Sequence, residues 1–156
     1  MMLSGTSKGY TRQLPSEVQP DELLSTFVVR PDHIVKKSNS VHYSRLMPRR
    51  RDKKPNGRLE TSVCRSLDLT ESRVWEICSK FFDKYAPKPA IGRGIGPVEA
   101  VTARGLGFDA DGKPYPEHTN IIGWQDSAGL PDSELKHFWM DQAQKMAPRF
   151  SYVPRR

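Results

Sequence analysis

The chain has 156 residues, a formal net charge of +7, 36% hydrophobic residues and 13 prolines. That length suits one domain with a small core and long connections. No apolar run approaches the roughly 20 residues that span a bilayer, and no apolar leader is evident, so no membrane span is expected and a cytoplasmic protein is.

The charge is uneven. Residues 1–66 hold 13 lysines and arginines against 6 acids, while residues 67–156 hold twelve of each. The whole excess therefore lies in the first part, which points to an anionic partner there.

Residues 1–21 are polar and without periodicity, and read as a flexible tail. Leu24 to Val29 reads as a first strand. Val41 to Met47 alternates and reads as a second. Pro48 to Arg58 then forms a long basic hairpin loop into a third strand, Leu59 to Arg65. In that strand Leu59, Thr61 and Val63 point one way, and Glu60, Ser62 and Cys64 the other. Sheet pairing predicts strands two and three as antiparallel neighbours.

The best-specified helix follows, from Glu71 to about Tyr85. Thr70 is its expected N-cap, with Leu69 and Val74 as a hydrophobic staple, and Asp68 is a rival cap. Val74, Ile77, Cys78, Phe81 and Tyr85 form its apolar stripe. Gly92 to Gly96 reads as a tight glycine loop before a short helix that opens at Pro97, with Gly105 as its C′ residue. Asp109 to Gly112 is a turn. Thr119 to Trp124 reads as a strand, and Asp132 caps a last helix to about Ala147. Residues 149–156 form a tail, either frayed or briefly extended. The expected fold is α+β: one domain over residues 22–148, with a small antiparallel or mixed sheet of about four strands and two main helices packed on it.

The most charged constellation is the basic loop and its flanks: Arg45, Arg49, Arg50, Arg51, Lys53, Lys54, Arg58 and Arg65. Such a cluster attracts phosphates and gives salt-dependent binding, and arginine forks suit phosphate geometry. Tyr43 is placed to stack on a base. The bland alternative is a solvated loop that aids solubility. GRGIGP has neither the P-loop nor the dinucleotide pattern. Cys64 and Cys78 lack metal-ligand spacing and read as reduced, buried thiols, and the four histidines lack the i,i+4 pairing of a helical zinc site. No metal and no cofactor is expected.

Several segments come in a familiar order: FVVRPDHI, SVCRS, LTESRVWEI, IGR, ARGLGF and HTNIIGW. Over about Thr26 to Trp124 the chain resembles a family of short, uncharacterised bacterial proteins whose pattern runs RxxHI, LSVFR, LTExxIW, YGRAD, AxxxGL, HANIxGWP. The family-like positions are Arg30, His33, Ile34, Val63, Arg65, Trp75, Gly92, Arg93, Gly105, His118, Asn120, Gly123 and Trp124. GRGI stands where the family has GRAD, so the acid is missing here. The resemblance implies a bacterial or mobile-element origin and one cytosolic domain, and supplies no activity.

The leading expectation is a small basic accessory protein. It would bind nucleic acid or an acidic effector partner through the Arg/Lys-rich loop, as a subunit of a larger assembly such as a bacterial defence or mobile-element system. The alternative is an enzyme, ADP-ribosyltransferase-like or RNA-processing, with Arg30, His33, Arg93 and His118 in one cleft together with Ser62 and Arg65.

Overall fold

Strand alternation in this chain builds one antiparallel sheet with two unequal faces. The structure, a computed structural model, describes residues 14–51, 56–83 and 88–156. Its strands are β1 (Leu23–Val28), β2 (Ile34–Val35), β3 (Ser40–Val41), β4 (Arg49–Arg50), β5 (Leu59–Arg65), β6 (Gly92–Pro97), β7 (Gly107–Asp109), β8 (His118–Ile122) and β9 (Ser151–Pro154). The helices are α1 (Glu71–Ile77), α2 (Glu99–Thr102) and α3 (Asp132–Met146). The sheet order is β2-β3-β9-β6-β1-β5-β8-β7, with β4 on β5. The class is α+β as expected and α1 and α3 are the two main helices, but the sheet has nine strands among the described residues, not about four.

Parity along the strands sorts the residues. Leu24 and Val28, Thr61 and Val63, and Thr119 and Ile121 face α3. There Leu24, Val28, Val63 and Ile121 share the larger core with Leu135, Trp139, Ala143, Met146 and Phe150. Each fully buried leucine or isoleucine contributes about 1.5–3 kcal/mol relative to exposure. Ser25, Phe27, Ser62, Cys64, His118 and Asn120 take the opposite face. It is only partly covered by α1, where Val74 and Cys78 meet Phe27, and Ile77 meets Cys64 and Tyr115.

The α1 start follows its local signals. Thr70 Oγ1 accepts from the Arg73 N–H at 3.1 Å, and Leu69 packs in the same cluster as Val74. The helix loosens into a π-turn over Cys78–Phe82; Tyr85, the last residue of its expected stripe, lies outside the described residues.

Four expectations need correction. Of the expected strand over residues 41–47 only Val41 is extended in the sheet, as the end of β3. After β3 the chain turns at Tyr43–Arg45, because His42 Nδ1 accepts from the Ser44 N–H at 3.2 Å and offers the backbone a local alternative to a ladder. The neighbours of β5 are therefore β1, β8 and the two residues of β4. Gly92–Pro97 is a central strand rather than a loop, paired to β1 on one side and β9 on the other. Pro97 thus ends β6 instead of opening α2, whose cap is Val98. Finally, Asp132 does not cap α3: Pro131 holds the cap position without a side-chain bond, and the Asp132 carboxylate is engaged by Arg50. The C-terminal segment is extended, as β9, and so belongs to the sheet.

Candidate nucleic-acid interface

Where α1 stops covering its face, the sheet floors an open cleft of about 1560 Å³. Ser62, Cys64, His118 and Asn120 lie on the floor. The rest of the cleft lining includes Arg45, Arg49, Arg50 and Arg51, Phe81 and Phe82, Asp111 and Tyr115, and residues 126–132.

The basic cluster divides into three groups. Arg65 is buried and bonded to Glu22 at 2.7 and 2.8 Å. Arg58 is tied to Glu60 and Asp109. Arg50 forks onto Asp126 at 2.8 and 2.9 Å, reaches Asp132 at 2.9 Å and donates to the Gly57 carbonyl at 3.0 Å. The Arg50 guanidinium in turn holds the Asp126 carboxyl below the usual carboxylate range. These three arginines are neutralised by the protein's own acids, contrary to a wholly free cluster. Lys53 and Lys54 lie outside the described residues.

Arg45, Arg49 and Arg51 are different. All three line the cleft, and none makes an ion pair with a carboxylate among the described residues. Arg49 and Arg51 are exposed. Arg45 lies deeper, its Nη2 donating to the Phe27 carbonyl at 3.2 Å. Burial, then Arg49 and Arg30, push its pKa down. His33 sits behind it, with Nε2 accepting from Arg30 Nη2 at 3.2 Å. Arginine can only donate, so His33 carries its proton on Nδ1. Burial, then Arg45 and Arg30, hold its pKa below the usual histidine value. His33 Nδ1 and Arg45 Nε are both buried with no hydrogen-bond partner. Arg45 thus carries a charge with no carboxylate partner among the described residues, pressed by Arg49 and Arg30, and an anion in the cleft offsets it.

The four residues of the enzyme alternative are not gathered in the cleft. Arg30 and His33 are bonded to each other outside its lining. Arg93, also in the second face, is spent on Ser25 Oγ at 2.7 Å and on Glu71. Only His118 lines the cleft. Tyr43 does not line it; it packs against the larger core and on the His42 ring.

His118 has a partner that is not evident in the sequence. Its Nδ1 donates to Asp111 Oδ1 at 2.7 Å, and Tyr115 meets the ring edge-on. Asn120 Nδ2 donates to Asp111 Oδ2 at 3.2 Å, and the Lys113 N–H to Oδ1 at 3.3 Å. Burial pushes the Asp111 carboxyl up, but these hydrogen bonds outweigh it and leave its pKa below the usual range. In sequence the DADG turn reads as punctuation only. The signal that could have raised it is the short step from an acid in a turn to a histidine opening a buried strand.

Both cysteines are free and buried. Burial, with Glu117, pushes the Cys64 thiol far above its ordinary value; burial, with Asp83, pushes Cys78 up to about 12. Neither is a nucleophile at neutral pH. No group of three or more metal-ligating side chains occurs, and no helix is long and apolar enough to cross a membrane, among the described residues. Comparison with protein-family models, with curated proteins and with solved structures finds no match to this chain.

Proposed function

We propose that the protein binds single-stranded nucleic acid in this cleft, with phosphates on Arg45, Arg49 and Arg51 and bases against Phe81 and Phe82. The observation that supports it is that Arg45, Arg49 and Arg51 line the cleft with no carboxylate partner among the described residues, and that Arg45 Nε is a buried donor without an acceptor. An open cleft lined by both arginines and aromatic rings suits a flexible strand, whose phosphates follow the charge while bases stack. The basic loop contributes less than its sequence promises, because Arg50 and Arg58 are spent on internal acids and Arg65 is buried.

The test is fluorescence anisotropy with short single-stranded oligonucleotides across a salt series. Wild type binds at low salt, and each phosphate contact contributes about 0.7 to the slope of log K against log salt. R49A and R51A each flatten that slope by about one contact. Absence of binding at low salt, or an unchanged slope in the R49A/R51A double variant, overturns the reading.

A further inference from the structure

We propose that the Asp111–His118 pair makes this cleft a ribonuclease site, with His118 as general base for the ribose 2′-hydroxyl; this rests on the nucleic-acid reading above and goes beyond it. The argument starts from the His118 ring. It is 8% exposed, on the cleft floor, with Nδ1 committed to Asp111. That bond puts the proton on Nδ1 and the lone pair on Nε2. Among the described residues Nε2 makes no hydrogen bond and is not a buried unpartnered atom, so it keeps an open side where the ring lines the cleft. Asp111, which accepts from the Lys113 N–H, His118 Nδ1 and Asn120 Nδ2, orients the imidazole. It is a positioning residue.

The neighbours of His118 select the substrate. Cys64 lies directly opposite in the strand pairing, but its thiol is buried and stays protonated. Ser62 is paired with Asn120 instead, and its Oγ donates to Asn120 Oδ1 at 3.4 Å. It makes no bond to His118, so no side chain on the floor is an activated nucleophile. RNA brings its own nucleophile, one carbon away from the scissile phosphate. DNA does not. Arg45 donates to Phe27 on β1, two strands across and two residues along from His118 on β8, which is about 12 Å by strand spacing and rise. Its guanidinium, with those of Arg49 and Arg51 on the cleft lining, is thus placed to hold phosphates next to the reacting one.

The step balances without a co-reactant. His118 Nε2 takes the 2′-hydroxyl proton, and the 2′ oxygen forms a bond to the adjacent phosphorus. The bond from phosphorus to the 5′ oxygen breaks, and that oxygen takes a proton from solvent. His118 then returns its proton to solvent. The products are a 2′,3′-cyclic phosphate and a 5′-hydroxyl end.

The experiment uses a 5′-labelled single-stranded RNA, the DNA of the same sequence, and the RNA carrying one 2′-deoxy nucleotide. Wild type cuts the RNA to ends bearing a cyclic phosphate, leaves the DNA intact, and fails only at the 2′-deoxy position. That last result needs no protein variant. H118Q loses about 10²–10⁴-fold in rate, the usual worth of a general base. D111N slows cleavage while oligonucleotide affinity, by anisotropy, stays within about twofold of wild type. RNA that binds but is not cut, or cleavage that ignores the 2′-deoxy substitution, overturns the ribonuclease assignment and leaves the binding reading standing. RNA that neither binds nor is cut overturns both.

Discussion

Arg65 and Glu22 form a closed ion pair inside the fold: Nε donates to Oε1 at 2.8 Å, Nη2 donates to Oε2 at 2.7 Å, and each side chain is only 2% exposed. Glu22 also accepts the Gln19 N–H, and Arg65 reaches the Glu17 carbonyl. The pair ties the segment before β1 to the end of β5. Removing one partner leaves a buried charge uncompensated. R65M is therefore expected to cost about 3–5 kcal/mol in urea denaturation, and the E22L/R65M double variant markedly less than the two single costs combined. Equal and additive losses would mean that the two groups do not depend on each other. The residue reads in sequence as part of a phosphate-binding patch, yet its role is to close the fold.

That contrast marks what is legible. β5, the Thr70 cap and α3 can be read because alternation, capping and helical periodicity are local signals. Charge compensation is not local. Arg50 meets acids 76 and 82 residues away, and Arg65 one 43 residues away. A count along the sequence sees the cations and misses the partners. GRGIGP misleads for a related reason: its glycines look like punctuation, while what fixes them as a strand is Phe150, Val41 and Tyr152 arriving from elsewhere. Asp111 escapes notice because the turn that carries it looks self-sufficient until β8 brings His118 against it.

The glycines of β6 make that packing testable. A Cβ on Gly96 would lie 2.7 Å from the Phe150 ring, and one on Gly94 would run into Val41 Cγ1. Arg93 and Ile95 point to the other face. G96A is expected to destabilise by about 1–3 kcal/mol through overpacking. The G96A/F150L double variant should cost less than the sum of its two parts, because the smaller side chain admits the new methyl. Strict additivity in thermal or urea denaturation would argue against a direct clash.

Arg50 and Arg49 adjoin in sequence and differ in role. Arg50, itself only 9% exposed, holds Asp126 and Asp132, both half-exposed, so its loss should cost about 1–3 kcal/mol of stability. R50A also unmasks two carboxylates beside the cleft. Oligonucleotide affinity is expected to fall while the slope against salt stays near the wild-type value, since no phosphate contact is removed. R49A should do the reverse for the slope, with stability unchanged. If R50A flattens the slope as much as R49A, then Arg50 contacts phosphate and its ion pairs with Asp126 and Asp132 do not keep it from the ligand.

Acid sensitivity should arrive in two steps. His33 faces Arg45 and Arg30, which lower its pKa along with burial, and Asp32 and His42, of which Asp32 opposes the shift. As pH falls below about 6.5, the unfolded chain takes up a proton on this histidine before the folded chain does, so stability declines from there downward. The slope is at most about 1.4 kcal/mol per pH unit for one proton. Asp83, Asp111 and Asp126 act lower. Their folded pKa values are depressed, so their contribution is intact above the unfolded carboxyl value of about 4 and is lost as pH falls through the folded ones. Thermal denaturation from pH 8 to pH 3 should therefore show a shallow loss beginning near pH 6.5 and a steeper one below pH 4. H33Q should remove the first and keep the second. A wild-type profile flat between pH 7 and pH 5 would mean that His33 takes up its proton as easily in the fold as outside it, and that the cations around it do not act on it.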